Sequence, residues 1–115
     1  MIVYGEPGSD NEAEVARAIR EQAISKPVVA IVAGAFQEAY PAGVSFGHVA
    51  AMIAGEADTA TAKRRLLSEA GAHVVGSLDE ITPLLKNLVN WKVPGSLGDS
   101  SKRSELRLVV SHQVV

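Results

Sequence analysis

Two side chains in this sequence combine a reactive type with a placement suited to chemistry. His48 stands in Phe46-Gly47-His48-Val49-Ala50-Ala51, a run of small residues closed by Gly55. Glu6 stands in the turn Gly5-Glu6-Pro7-Gly8. A histidine that opens a helix lies beside free backbone N–H groups and the positive end of the helix dipole, which together favour an anion. A carboxylate that accepts a hydrogen bond from one imidazole nitrogen fixes the tautomer and leaves the other lone pair free to attack. His48 and Glu6 are therefore the candidate catalytic pair of a phosphohistidine site. Gly47, Val49 and Ala50 are the candidate phosphate-binding positions beside it. Thr59, in the stretch Gly55–Thr61 that leads into a following helix, is a fourth. The bland readings stay open at this level: a packed structural histidine and a solvated turn carboxylate.

Other sequence features exclude more than they propose. His73 is flanked by Val74 and Val75, and His112 lies in a polar tail, so neither reads as a reactive group. No His, Asp and Glu spacing suggests a metal site. GxSxG, Walker A and GxGxxG patterns are absent from the sequence. With no cysteine and a formal net charge of −2, disulfides are excluded and non-specific nucleic-acid binding is disfavoured. The basic run Lys63-Arg64-Arg65 reads as a solvated helix face. No apolar run reaches the length of a membrane span. Glu6, Asp10, Glu12 and Glu14 are unlike a signal peptide. The expectation is a cytoplasmic protein without membrane or nucleic-acid partners, or a mitochondrial-matrix one without a visible transit peptide.

The elements that must position these residues can be read from spacing. The chain has 115 residues, nearly half of them hydrophobic and few aromatic, which suits one α/β domain with a core of Ala, Val, Ile and Leu. Ile2-Val3-Tyr4 reads as a strand. Ser9 and Glu12 fit a capping box for a helix over about 10–24. Residues 28–33 form a short apolar run without alternation, as in a strand covered on both faces. Residues 35–47 are an irregular loop at its carboxyl end, where ligands of such sheets sit. A short helix over 48–54 follows, then a helix capped by Asp58 that ends at Gly71. Residues 72–75 are a third strand. Ser77 and Glu80 fit a second capping box, with a single turn over 78–81. A final helix with Thr82 as N-cap and Pro83 at its first position runs to about 89. The expected fold is α/β, a three-layer parallel sheet over residues 1–92, incomplete at its N-terminal side. Residues 93–115 read as a linker and tail, and the tail strand over 106–110 is a candidate to cover the exposed sheet edge.

The motifs "GEPG" at 5–8, "KPVVAIVAG" at 26–34, "FGHVAAMIAG" at 46–55, "DTATAKRRLLSEAG" at 58–71 and "AHVVGSLDEI" at 72–81 come in an order and spacing that resembles a known family. It is the CoA-ligase domain of the succinyl-CoA synthetase alpha subunit, ATP-citrate lyase and citryl-CoA synthetase. The resemblance covers residues 2 to about 90. It implies a flavodoxin-like fold and a reaction that joins a carboxylic acid to CoA through a phosphorylated histidine and an acyl phosphate. His48 matches the family's phosphorylated histidine and Glu6 the carboxylate that contacts it. The fourteen-position interval from Gly34 to His48, with Phe46-Gly47 before the histidine, is more similar to the ATP-citrate lyase branch. The sequence departs from the family pattern at Val49 and Ala50, where Ala and Gly are usual, and at Ser9, where the family has a second glycine. The resemblance further implies an ATP-grasp partner and a CoA-binding domain outside this sequence, with CoA, ATP and magnesium acting in the full assembly and none bound by this chain alone. The isolated chain is expected to be inactive, and a homo-oligomer is compatible with the sequence. A non-catalytic remnant or interaction module of the same fold is the second reading.

Overall fold

The computed structural model describes residues 1–47, 52–89 and 108–110. Along the chain lie β1 (Ile2–Gly5), α1 (Asn11–Arg20), β2 (Val29–Val32), α2 (Ala60–Ala70), β3 (His73–Val75), α3 (Ile81–Leu88) and β4 (Leu108–Val110), with 3₁₀ turns at Ala35–Ala39, Glu56–Asp58 and Leu78–Glu80. The four strands form one parallel sheet in the order β3-β2-β1-β4.

The apolar run of β2 is buried at every position, and its alternation assigns it to two cores. Val28, Ala30 and Val32 pack with Val3 of β1, Ala16 of α1 and Ala60 and Leu67 of α2. Val29 and Ile31 point the other way, join Val75, and are covered by Ile81, Leu84, Leu85 and Leu88. Helices therefore lie on both faces, as a run without polar alternation requires. α3 covers the face over β2 and β3, and Tyr4 of β1 is 41 % exposed.

Several boundaries differ from the sequence reading, each for a local reason. α1 ends at Arg20 rather than near 24, because Gln22 turns into the left-handed region (φ 57°). The amides of Ala23 and Ile24 then return to the Ala18 carbonyl. The Ser9–Glu12 capping box is not made. Asp10 is the N-cap without a side-chain bond, and the Glu12 carboxylate turns inward instead. Asp58 does not cap α2. Thr59 does, accepting a hydrogen bond from the Ala62 amide. Asp58 closes the preceding 3₁₀ turn, its carboxylate accepting from the amides of Ala54 and Gly55 at 3.0 and 2.9 Å. The short helix expected over 48–54 falls on 48–51 outside the described residues, and residues 52–54 are irregular. At α3, Ile81 is the first helical residue and Pro83 the third. Pro83 is tolerated there because the first-turn N–H groups have no partner inside the helix. Ser77 donates to Glu80 Oε1 at 3.0 Å but makes no cap bond.

The basic run at 63–65 is not one solvated face. Arg65 is exposed and pairs with Glu69, while Arg64 donates to the Val32 carbonyl at the end of β2. Lys63 is 3 % exposed and lies against Glu12, itself 2 % exposed, with Nζ 2.6 Å from Oε2. This pair ties α1 to α2 through the interior. Removing one partner leaves the other charged and dry, which costs about 3–5 kcal/mol, whereas an apolar pair of similar volume is close to neutral. Lys63→Met alone should therefore lower unfolding stability by about that amount in urea melts, and Glu12→Leu with Lys63→Met should recover only the part due to the unpaired charge, since the backbone groups of Glu6 and Ser9 still lose their partners. A single-variant loss under about 1 kcal/mol, the scale of a surface pair, would show that the pair is no internal tie.

Leu108–Val110 pairs with β1 in parallel, Ile2 opposite Leu108 and Tyr4 opposite Val110, so this part of the tail covers the β1 edge. Deleting residues 96–115 bares that edge and should shift the protein towards larger species in light scattering and lower its melting temperature. An unchanged scattering profile and melt would show that the β4 contact contributes nothing.

Candidate functional site

The site is built at the carboxyl ends of β1 and β2. Gly5 and Val32 face each other there, so the turn after β1 and the long segment after β2 leave the sheet side by side. Two glycines let them do so. A Cβ at Gly5 would collide with the Glu12 carboxylate, and one at Gly34 (φ 83°) would lie 2.6 Å from Pro7 Cδ. Pro7 is fully buried between them.

Glu6 follows Gly5 and is half-buried. Both of its backbone groups are held by the buried ion pair. Its N–H donates to Glu12 Oε1 at 3.2 Å, and its carbonyl accepts from Lys63 Nζ at 2.8 Å. Lys63 also donates to the Ser9 carbonyl and to Glu12 Oε2. One ammonium thus spends its three donors on the turn and on the carboxylate that holds that turn.

α2 is drawn to the same edge. The Gly8 amide donates to the Asp58 carbonyl at 3.0 Å, joining the β1–α1 turn to the entrance of α2. The Glu38 carboxylate, from the segment after β2, accepts from the Thr61 amide and hydroxyl, each at 2.8 Å. A carboxylate on first-turn donors is the arrangement that an exposed helix N-terminus favours. The Thr59 hydroxyl accepts from Ala62 N–H and donates to the Glu56 carbonyl, so its described bonds are those of a cap.

His48, Val49 and Ala50 lie outside the described residues. The chain on either side of them is fixed. Phe46 meets Phe36 and Tyr40 edge-on, with ring centroids 5.2 and 5.1 Å apart. The Gly43 amide donates to the Ile53 carbonyl at 2.9 Å, which ties the loop before His48 to the chain after it. Gly47 adopts φ 90° with open space where a Cβ would be. It is needed for its backbone conformation rather than for clearance.

Among the sequence candidates, the structure therefore brings Glu6 and Thr59 to one edge through Lys63 and the Gly8–Asp58 bond, with Gly47 on the loop leaving the same edge. Sequence reasoning missed Glu12, Lys63 and Glu38. A signal for Lys63 existed: Ala60, Lys63 and Leu67 recur on one helical stripe, and all three are buried. Among the described residues, no three acidic or imidazole groups converge as a bound metal would need, and no helix is long and apolar enough to cross a membrane.

No protein-family model matches the chain. An ATP-citrate synthase beta chain of Arabidopsis thaliana is 32 % identical over 114 residues, covering 99 % of this chain and 18 % of its own length. The ATP-citrate synthase of Mus musculus is 34 % identical over 88 residues, covering 76 % of this chain and 8 % of its own. Among solved structures, ATP citrate lyase from Methanothrix soehngenii, in complex with citrate and coenzyme A, superposes with a TM-score of 0.70 at 29 % identity, over 96 % of this chain and 21 % of that one. The chain thus spans less than a fifth of the length of these curated relatives. It is an α/β relative of the ATP-citrate synthase family, matching one segment of its much longer members.

Proposed function

We propose that this chain is the phosphohistidine-carrying segment of an acid–CoA ligase of the ATP-citrate lyase type, with His48 as the carrier and Glu6 as its orienting carboxylate. The observation that supports this most is the shared edge. Glu6, the loop that leads to His48 and the entrance of α2 leave the sheet at one place, bound together by Lys63, Gly8–Asp58 and Glu38–Thr61. A phosphoryl group on His48 would lie at this edge, where the first-turn amide of Thr61 already holds the Glu38 carboxylate. Gly47, Val49 and Ala50 are assigned to the phosphate-binding role; Thr59, whose hydroxyl caps α2 and donates to the Glu56 carbonyl, is assigned to holding the entrance of α2 instead.

The chemistry assigned to the chain is a reversible relay. One imidazole nitrogen of His48 attacks the phosphorus of a nucleoside triphosphate held by an ATP-grasp partner, and the P–O bond to the leaving nucleoside diphosphate breaks. The proton on the other nitrogen stays, held against Glu6. A carboxylate oxygen of the acid then attacks the same phosphorus, the P–N bond breaks, and its electron pair returns to the ring. The acyl phosphate so formed is opened by the CoA thiol in a separate CoA-binding domain, releasing phosphate. Magnesium would supply charge neutralisation on the nucleotide phosphates, and it is assigned to the partner that holds the nucleotide. The names of the relatives point to citrate as the acid.

Val49 and Ala50 replace the family's smaller pair and favour the second reading, a remnant that keeps the fold without the chemistry. The two readings separate in one experiment. The purified chain, mixed with a matching ATP-grasp subunit, magnesium and ATP, should acquire acid-labile, base-stable phosphate on His48 by mass spectrometry, and His48→Ala should abolish it. No phosphate on a chain shown separately to bind the partner would overturn the carrier assignment and leave the remnant.

A further inference from the structure

The Glu12–Lys63 pair reaches further than the packing of α1 on α2. It uses two of its bonds on a single residue, Glu6, and takes that residue from both sides of its backbone. Glu12 Oε1 holds the Glu6 N–H at 3.2 Å, and Lys63 Nζ holds the Glu6 carbonyl at 2.8 Å. A third bond fixes the Ser9 carbonyl, and with it the far end of the turn. Pro7, fully buried against Gly34, fixes φ inside the turn. A residue held at its N–H and at its C=O has little freedom left in φ and ψ, so the direction in which the side chain departs is set.

We infer that Glu12 and Lys63 are positioning residues for Glu6, acting as a two-sided clamp that aims the carboxylate at the histidine it orients. This rests on the carrier reading of His48 above. Joining the two helices does not by itself call for this arrangement, since an apolar pair can also do so. An apolar pair would leave the Glu6 N–H and C=O without these partners, and a misdirected carboxylate no longer selects one tautomer of its imidazole.

The test reads the tautomer of His48 in the full chain labelled with ¹⁵N-histidine. Long-range ¹⁵N–¹H spectra are recorded about two units above the ordinary imidazole pKa, where the ring is neutral. His48→Ala assigns the signals. The wild-type chain should show His48 as a single tautomer, and Glu6→Gln should turn it into a mixture. Glu12→Leu/Lys63→Met removes the clamp with no change in net charge, and it should give the same mixture while circular dichroism shows a folded chain. Should that variant fail to fold, Glu12→Gln/Lys63→Met, which keeps volume and an acceptor for the Glu6 N–H but releases the Glu6 and Ser9 carbonyls, tests the Lys63 side of the clamp. A clamp variant that keeps the single tautomer while Glu6→Gln loses it would overturn the clamp and leave the Glu6–His48 reading intact. A mixture in the wild-type chain, or a single tautomer that survives Glu6→Gln, would overturn that reading and the clamp with it.

Discussion

The architecture around the site depends on one buried charge. Lys63 comes from the first half of α2, is almost wholly removed from water, and satisfies its ammonium with a carboxylate and two carbonyls. Taking an ammonium and a carboxylate out of water is expensive, and only close geometry with every donor used offsets it. That demand acts on the surroundings. It brings α1 against α2, since Glu12 lies on one and Lys63 on the other. It holds Glu12 beside Gly5, where any side chain on the strand end would collide with the carboxylate. It bends the residues after β1 so that their carbonyls face inwards. The glycine before Glu6 and the short polar turn after it are consequences of the same pair.

The sheet then decides which segments this turn faces. α1 and α2 share one face, while α3 takes the chain to the other on its way to β4. The strand ends of β1 and β2 are in register, so the segments leaving them are delivered to a common edge. The segment after β2 is not a slack loop. It begins in a 3₁₀ turn, gathers three aromatic rings, and uses Glu38 to hold the first turn of α2. Phe36 is 61 % exposed, so the rings stabilise the segment mainly by contact with each other. A loop built this way holds its own shape and delivers Gly47 from a defined direction.

Much of this was legible in the sequence, and the features that were not share a cause. The parallel sheet, the doubly covered β2, the end of α2 at Gly71 and the placing of Glu6 at a strand end come from periodicity and turn chemistry, which are local. The misreadings concern polar side chains with two possible uses. Glu12 stands three residues after Ser9 and fits a capping box, yet a buried ammonium is a stronger partner for a carboxylate than one exposed amide. Asp58 and Thr59 both suit an N-cap, and the 3₁₀ turn before α2 decided between them. Lys63 was hidden by its neighbours: in a row of three cations the helical stripe of Ala60, Lys63 and Leu67 was outweighed by charge. For Glu12 and Lys63 the deciding partner lies far along the chain on another element, where spacing cannot show it.

The same buried pair bears on whether the altered residues after His48 signal lost chemistry. Val49 and Ala50 differ from the family pattern beside the proposed anion site, and a side chain there narrows the approach of an anion to the backbone. The groups that hold Glu6 are intact: Gly5, Pro7, Glu12 and Lys63 form one satisfied network. A hydrophobic pair would hold two helices together without desolvating two charges, but it would not bond the Glu6 N–H or the Glu6 and Ser9 carbonyls as this network does. Its benefit is directional, since hydrogen bonds fix the orientation of a peptide group while apolar contacts fix only proximity. A turn held in direction, at the edge that receives the histidine loop, is of use to a carboxylate that must meet a particular atom. The clamped Glu6 therefore weighs towards the proposed chemistry rather than towards a remnant.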